Sequence, residues 1–240
     1  MNHETRRLAW ADLHNARDLG GLPAAGGRTA FQSVVRTDRL DRLTEAGRAA
    51  LLAYGVATIV DLRSTGELLA APSPLRDMDG YRHLPFLDEA AIHHANRFES
   101  AIESYLWQLE NRMSLVAAAI HAIAEAPPGC VLVHCAAGKD RTGIVSALVL
   151  SVAGVDRATI AADYALSTPW LDAARDGEEG LGAQPDAVER ARLRRVYESR
   201  PETILGLLAA VDSRHGGIAG YLTAIGVGEG AQDRLRARLR

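Results

Sequence analysis

The residues best equipped for chemistry stand in one stretch, His134-Cys135-Ala136-Ala137-Gly138-Lys139-Asp140-Arg141-Thr142-Gly143. A cysteine and an arginine separated by five residues can wrap a loop around a tetrahedral anion, with backbone amides turned inward. Gly138 permits a backbone conformation that other residues resist. A helix starting near Arg141 would aim its partial positive end at the same point. All of this favours a thiolate over a thiol, so Cys135 is the candidate nucleophile. The forked guanidinium of Arg141 suits two oxygens of a phosphate and can follow charge into a transition state. Thr142 could hydrogen-bond the sulfur and ease its departure, and His134 fits an organiser of the loop. Ala136, Ala137, Gly138, Lys139, Asp140, Arg141 and Thr142 together form the candidate substrate-binding set.

A plainer reading makes a strand-end cysteine a small core hydrophobe. It suits Cys130. It suits Cys135 poorly, because loop length, glycine, arginine and threonine all agree. A nucleotide-binding Walker loop also fails, since Asp140 follows Lys139 where Ser or Thr is needed and Val133 stands at the first glycine. Lys139 is the only lysine among 27 Lys and Arg residues, and it falls inside this loop. An ammonium and a guanidinium are not equivalent around phosphate.

These residues need elements to hold them. CVLVHC (130–135) has the pattern of a core strand and RTGIVSALVLSVAG (141–154) that of an apolar helix, joined by a short loop. FQSVVRT (31–37), VATIVDL (56–62) and YRHLPF (81–86) are further strand candidates. LTEAGRAALLAYG predicts a helix capped by Thr44 and ended by Gly55. A long helix is expected from Phe98 to Ala126, stopped by Pro127-Pro128-Gly129, and residues 1–28 are expected as loop. Beyond Ser167 the pattern is mainly helical. The charged, glycine-interrupted stretch 168–200 is a candidate helical lid, with Trp170 and Leu171 able to cover a pocket. With no repeat and no clear linker, 1–240 reads as one α/β domain.

Composition excludes several classes. Hydrophobic residues make 48% and charged residues 24% of the 240, an ordinary globular balance. A net charge of −3 offers no positive excess for nucleic acid. No segment reaches the roughly 18 unbroken apolar residues of a membrane span, and the N-terminus lacks a signal-type apolar run. The expectation is a cytoplasmic protein; export without a signal peptide stays open. Cys130 and Cys135 would lie roughly 16 Å apart on opposite faces of a strand, which excludes a bridge. His14, His83, His93, His94, His121 and His215 show no ligand spacing, so no metal or other cofactor is expected. Oligomeric state is not legible.

HCAAGKDRTG resembles the signature loop of the protein tyrosine phosphatase superfamily, and most nearly the bacterial branch whose loop carries Lys-Asp-Arg. Asn15-Ala16-Arg17-Asp18-Leu19-Gly20-Gly21 is similar to that branch's NFRDLGG motif, with Ala16 where Phe is usual. Val35-Arg36-Thr37-Asp38, IVDLRSTGE (59–67), ADYALS (162–167) and GYLTAIGV (220–227) resemble its other landmarks in the same order. The resemblance implies an α/β phosphatase fold with a central, mostly parallel sheet flanked by helices. It implies hydrolysis of phosphotyrosine, with phosphoserine, phosphothreonine and phosphoinositides as further substrates, through a phosphocysteine intermediate. Physically, Lys139 could pair with a second phosphate on an inositol ring, or merely raise the site's potential.

The leaving oxygen needs a proton, so a carboxylic acid is expected nearby. Asp140 ranks first, because the resemblance to the Lys-Asp-Arg branch implies an acid in the loop. Asp61, at the end of IVDL, ranks second, as acid or as loop organiser. Asp88, which resembles the mobile-loop acid of other branches, ranks third. Arg17, Asp18 and Arg63 are expected to be supports. Two other classes compete: a catalytically silent phosphate-binding module, and a rhodanese-type sulfurtransferase, against which the Arg141-Thr142 pair argues.

Overall fold

Runs of valine, isoleucine and leucine become strands because both faces of the sheet they build are covered. In this computed structural model, which describes residues 3–95, 97–176 and 198–240, the strands are β1 (Arg17–Asp18), β2 (Pro23–Ala24), β3 (Gly27–Arg28), β4 (Val34–Thr37), β5 (Val56–Asp61), β6 (Tyr81–His83) and β7 (Cys130–His134). Five form one sheet in the order β1-β4-β7-β5-β6. β4, β7, β5 and β6 are mutually parallel, and only β1 runs antiparallel, on the β4 edge. β2 and β3 make a separate small hairpin within the stretch expected as loop.

The register decides where a site can form. Thr37 and Asp61 both pair with His134, and Asp61 also pairs with His83. Four strands therefore end level, and the loops that follow them open on one edge, where parallel α/β sheets bind ligands.

The helices are α1 (Glu45–Ala53), α2 (Thr65–Ala70), α3 (Glu89–Ala95), α4 (Ala101–Asn111), α5 (Met113–Ala124), α6 (Asp140–Val152), α7 (Arg157–Ala165), α8 (Ser167–Asp176), α9 (Pro201–His215), α10 (Ile218–Ala224) and α11 (Glu229–Arg238). Val131 and Val133 face a large core built with α4 to α7 and α9 to α11, and Cys135 continues that alternation. Cys130 and Leu132 face a smaller core with Leu51 of α1 and Trp10. The two thiols are free and on opposite faces.

Thr44 caps α1 as expected, its side chain accepting from the Gly47 amide. The helix expected from Phe98 to Ala126 is instead two helices, broken at Arg112 (φ −126°, ψ 30°). No proline or glycine marks the break; tertiary packing makes it. α4 presses Ile102 against Gly206 of α9, where a Cβ would stand 2.4 Å from the isoleucine. α5 packs on α6 and α11 instead.

α8 begins the expected lid, but residues 177–197 lie outside the described residues. Its root is clasped: the Thr168 amide donates to Ser199 Oγ (2.8 Å), and the Ser199 amide donates to Thr168 Oγ1 (2.6 Å). The Trp170 ring lies under the Arg7 and Arg17 guanidinium groups, at 4.9 and 5.3 Å. Among the described residues no helix is long and apolar enough to cross a membrane.

Candidate active site

β7 ends at His134 and α6 begins at Asp140, so residues 135–139 form the loop on the sheet's open edge. Its carbonyls are held from outside. The Arg39 amide donates to Ala136 O (3.0 Å) and Asn15 Nδ2 to Ala137 O (2.9 Å). Arg36 Nη2 donates to Gly138 O (2.7 Å) and lies 3.4 Å from Lys139 O. In a trans peptide the carbonyl and the next N–H point opposite ways. With no cis bond here, the amides of Ala137, Gly138, Lys139 and Asp140 turn to the inner side of the loop. No side chain caps the start of α6, which leaves its first amides open as well. Gly138 makes the turn possible, with φ +63° and a would-be Cβ 2.2 Å from Thr37 O.

The holders are themselves held. Asp163 of α7 receives Arg6 Nη1 (2.8 Å), Arg17 Nε (3.2 Å) and Arg36 Nη1 (3.1 Å), and all four side chains are buried. Burial would raise the Asp163 pKa; Arg17, Arg36 and Arg6 outweigh it and hold the carboxyl well below its ordinary range. The Arg17 guanidinium, pushed down to about 9 first by burial and then by Arg36, keeps its charge at neutral pH through Asp163. Arg17 also donates to Asn15 Oδ1 (2.5 Å), which orients the Asn15 amide toward Ala137 O. The chain Asp163–Arg17–Asn15 thus ends on the loop.

Arg141 is positioned from the opposite side. Its Nη1 and Nη2 bind Glu67 Oε2 (2.5 Å) and Oε1 (2.8 Å), a bidentate pair. Glu67 also closes a capping box at the start of α2: the Ser64 amide donates to Oε2 (2.8 Å), and Ser64 Oγ accepts from the Glu67 amide (3.1 Å). Burial opposes the Arg141 charge; the Glu67 hydrogen bonds and the charges of Cys135 and Glu67 raise its pKa above the ordinary value. Cys135 is 2% exposed, at the floor of the loop. Thr142 Oγ1 is buried and, among the described residues, makes no hydrogen bond, to sulfur or to anything else.

The three acid candidates occupy different settings. Asp61 is fully buried, and both its oxygens are engaged. Arg63 reaches it through Nε (3.0 and 3.1 Å) and Nη2 (2.7 Å), the Tyr81 hydroxyl at 2.5 Å, and His134 Nε2 lies at 3.5 Å. Against burial, His134, Arg63 and Tyr81 hold its pKa well below the carboxylate range. At neutral pH the causes that persist are Arg63 and the Tyr81 hydroxyl, because burial keeps His134 neutral. His134 Nδ1 donates to Cys135 O (3.1 Å). Asp88, 59% exposed, accepts from the Ala91 amide (2.7 Å) at the start of α3 and pairs with Arg112 at 3.6 Å. Asp140, 38% exposed, lies on the loop itself, with Lys139 Nζ 3.4 Å from Oδ1.

The sequence matches the tyrosine phosphatase family over residues 8–240. It is 35% identical to a tyrosine-protein phosphatase of Nostoc commune, covering 85% of this chain and 73% of that one. It is 30% identical to the triple specificity protein phosphatase PtpB of Mycobacterium tuberculosis, covering 85% and 89%. The chain belongs to the tyrosine phosphatase family. It is an enzyme of that family, with the mostly parallel sheet expected for it.

Three residues that shape this phosphatase's site stood inside the resembling motifs of the sequence without a role assigned to them: Glu67, Asp163 and Arg36. Glu67 carried a legible signal, Ser-x-x-Glu before a helix, but that pattern announces a cap and not a partner for Arg141. Asp163 is a charge on an otherwise buried helix face with Thr159, Ile160 and Tyr164, which implies buried partners without naming them. Arg36 sits in a strand buried along its length, another charge that must be paired.

Proposed function

We propose that this phosphatase cleaves phosphomonoesters through a phosphocysteine formed at Cys135. The sulfur attacks phosphorus, and the ester oxygen leaves with a proton from Asp140. Water then attacks the phosphocysteine, returns a proton to Asp140, and frees the thiolate and inorganic phosphate. Arg141 and the inner amides bind the equatorial oxygens throughout. The observation that carries this reading is the loop whose carbonyls are pinned outward while its amides and the α6 terminus face inward. The buried, unpaired Thr142 hydroxyl supports it, being a donor without an acceptor beside the sulfur-bearing loop. Asp61, locked to Arg63, is proposed as an organiser of the β5 end and not as the acid. One domain over 1–240 is proposed, since Arg6, Arg17, Arg36 and Asp163 meet to support one loop and α9 to α11 share the core under β7.

Cys135→Ser should abolish turnover of para-nitrophenyl phosphate, by at least about 1,000-fold, while inorganic phosphate still binds. Substantial residual turnover would sink the phosphocysteine route. No turnover by the wild type would favour a silent phosphate-binding module.

Phosphotyrosine is the proposed principal substrate. A sulfur at the floor of a loop is reached more readily when a flat ring holds the phosphate away from its backbone. Phosphoserine, phosphothreonine and phosphoinositides are proposed as secondary substrates, supported by the triple specificity in the name of the Mycobacterium tuberculosis relative. Lys139 is buried beside Asp140, a setting that favours a general contribution to site potential over reach toward a distant ring phosphate. Lys139→Ala should therefore lower turnover of phosphotyrosine peptides and phosphoinositides alike. A loss confined to the lipids would restore the ring-phosphate role.

A further inference from the structure

The surroundings of Asp140 carry a second layer of organisation. Among the described residues two groups approach its carboxylate, and both do so at Oδ1. One is Lys139 Nζ, at 3.4 Å; the other is the Tyr105 hydroxyl, which reaches across from α4. Tyr105 is in turn 2.7 Å, oxygen to oxygen, from the Tyr164 hydroxyl on α7, and both tyrosines are buried. Gly143 gives this pair its room, for a Cβ there would stand 2.9 Å from the Tyr164 ring.

The hydrogens along this chain have a forced direction. A phenol carries one hydrogen. Among the described residues the only acceptor within reach of the Tyr164 hydroxyl is Tyr105. Two charges act on it: Asp140, whose carboxylate is hydrogen-bonded to Tyr105 and not to Tyr164, and Arg36, a cation with donors alone. Were Tyr105 to point its hydrogen at Tyr164, the Tyr164 hydrogen would be buried without a partner. Tyr164 therefore donates to Tyr105, and the hydrogen of Tyr105 goes to Asp140 Oδ1.

We infer that Tyr105, with its direction set by Tyr164, is a positioning residue that commits Oδ1 of Asp140 as an acceptor and leaves Oδ2 to give and take the proton of the reaction. This rests on the proposed role of Asp140 as the acid. As the Sγ–P bond forms and the ester P–O bond breaks, the leaving oxygen takes the electron pair of that bond and the hydrogen from Oδ2. The negative charge left on Asp140 is met at Oδ1 by the Tyr105 hydroxyl and the Lys139 ammonium. In the second step the water oxygen bonds phosphorus and gives its hydrogen to Oδ2, the Sγ–P bond breaks, its electron pair returns to sulfur, and inorganic phosphate leaves. Tyr105 keeps its own hydrogen throughout, because burial, followed by the Asp140 charge and Tyr164, pushes its pKa well above 10.

The test is kcat/KM over a series of aryl phosphates, from 2,4-dinitrophenyl phosphate, whose phenolate leaves without a proton, to phenyl phosphate, whose phenolate does not. Tyr105→Phe keeps the ring and removes one oxygen. It should cost about tenfold on phenyl phosphate and less than about twofold on the dinitrophenyl ester. Asp140→Asn should show the same tilt, at about 100-fold on phenyl phosphate, and the double variant should be no worse than Asp140→Asn alone. An equal loss across the series in Tyr105→Phe would reduce the tyrosine to a packing role and overturn the inference. An untilted Asp140→Asn would instead overturn the acid assignment itself. Thermal melting and competitive inhibition by inorganic phosphate establish that each variant is folded with its loop intact. If Tyr105→Phe does not fold, Tyr164→Phe serves in its place: a smaller tilt in the same direction supports the inference, and a flat loss rejects it.

Discussion

The two flanks of the phosphate loop are built on opposite principles. On the β4 flank, Asn15, Arg36 and Arg39 grip backbone carbonyls, and behind two of them one fully buried carboxylate serves three arginines. On the β5 flank a partly exposed carboxylate, Glu67, grips a single guanidinium. The first flank therefore controls the shape of the loop, and the second controls the aim of one charge. Shape is tied to folding because its supports are dry; aim can be lost while the fold survives.

The largest effect should come from the buried hub. Asp163→Asn keeps the volume but leaves three buried guanidinium groups facing a neutral amide. Removing one partner of a buried ion pair costs about 3–5 kcal/mol. For a chain of this size the melting temperature should fall by on the order of 10 °C, with activity lost in proportion to unfolding. A variant that melts like the wild type yet is inactive would break the contrast, since the hub would then be shaping chemistry and not the fold.

Glu67→Gln sharpens the same contrast from the other side. The amide can still accept from Ser64 and from one arm of Arg141, so stability should change by less than about 1 kcal/mol. Two consequences then compete in the site. Losing a negative charge strengthens the pull on a phosphate, while losing the bidentate fork loosens the guanidinium in the transition state. The expected result is a kcat about tenfold lower, equivalent to about 1.4 kcal/mol, with KM unchanged or reduced. A raised KM at constant kcat would show that Glu67 organises substrate binding alone.

How much of this was legible follows from where each signal lives. The strand, loop and helix that carry Cys135 and Arg141 are local, so composition and spacing expose them. The Thr44 cap is local too. The break at Arg112 is not, because nothing in its neighbours forbids a continuous helix; it depends on α4 and α5 having different partners. Glu67 meets Arg141 only because β5 lies beside β7, and the Tyr105–Asp140 contact needs α4 laid over the start of α6. Asp61 shows the limit most clearly. Its position at a strand end allowed either acid or organiser, and the support for the organiser role proposed above comes only from the neighbouring Arg63, Tyr81 and His134 side chains, which the sequence does not place.

The smallest predicted effect concerns pH, and it sets the strand between the flanks against both of them. His134, on the β7 strand next to Asp61, has its pKa lowered from 6.5 by burial, with Arg63 acting in the same direction. The unfolded chain therefore takes up this proton first, and stability should begin to fall as pH drops below about 6.5. Asp61 and Asp163 have folded values depressed below 3.8, so the stability they confer is complete above that pH and is lost only as pH falls further. Asp18, raised by burial, works against that second loss. Denaturant midpoints measured from pH 7.5 to 3 should thus decline in two stages. His134→Asn should flatten the first stage, where each pKa unit is worth about 1.4 kcal/mol, and leave the second in place. If the first stage survives in that variant, His134 is not the group whose proton uptake couples mild acid to unfolding, because Asp61 and Asp163, with depressed folded values, act only in the second stage.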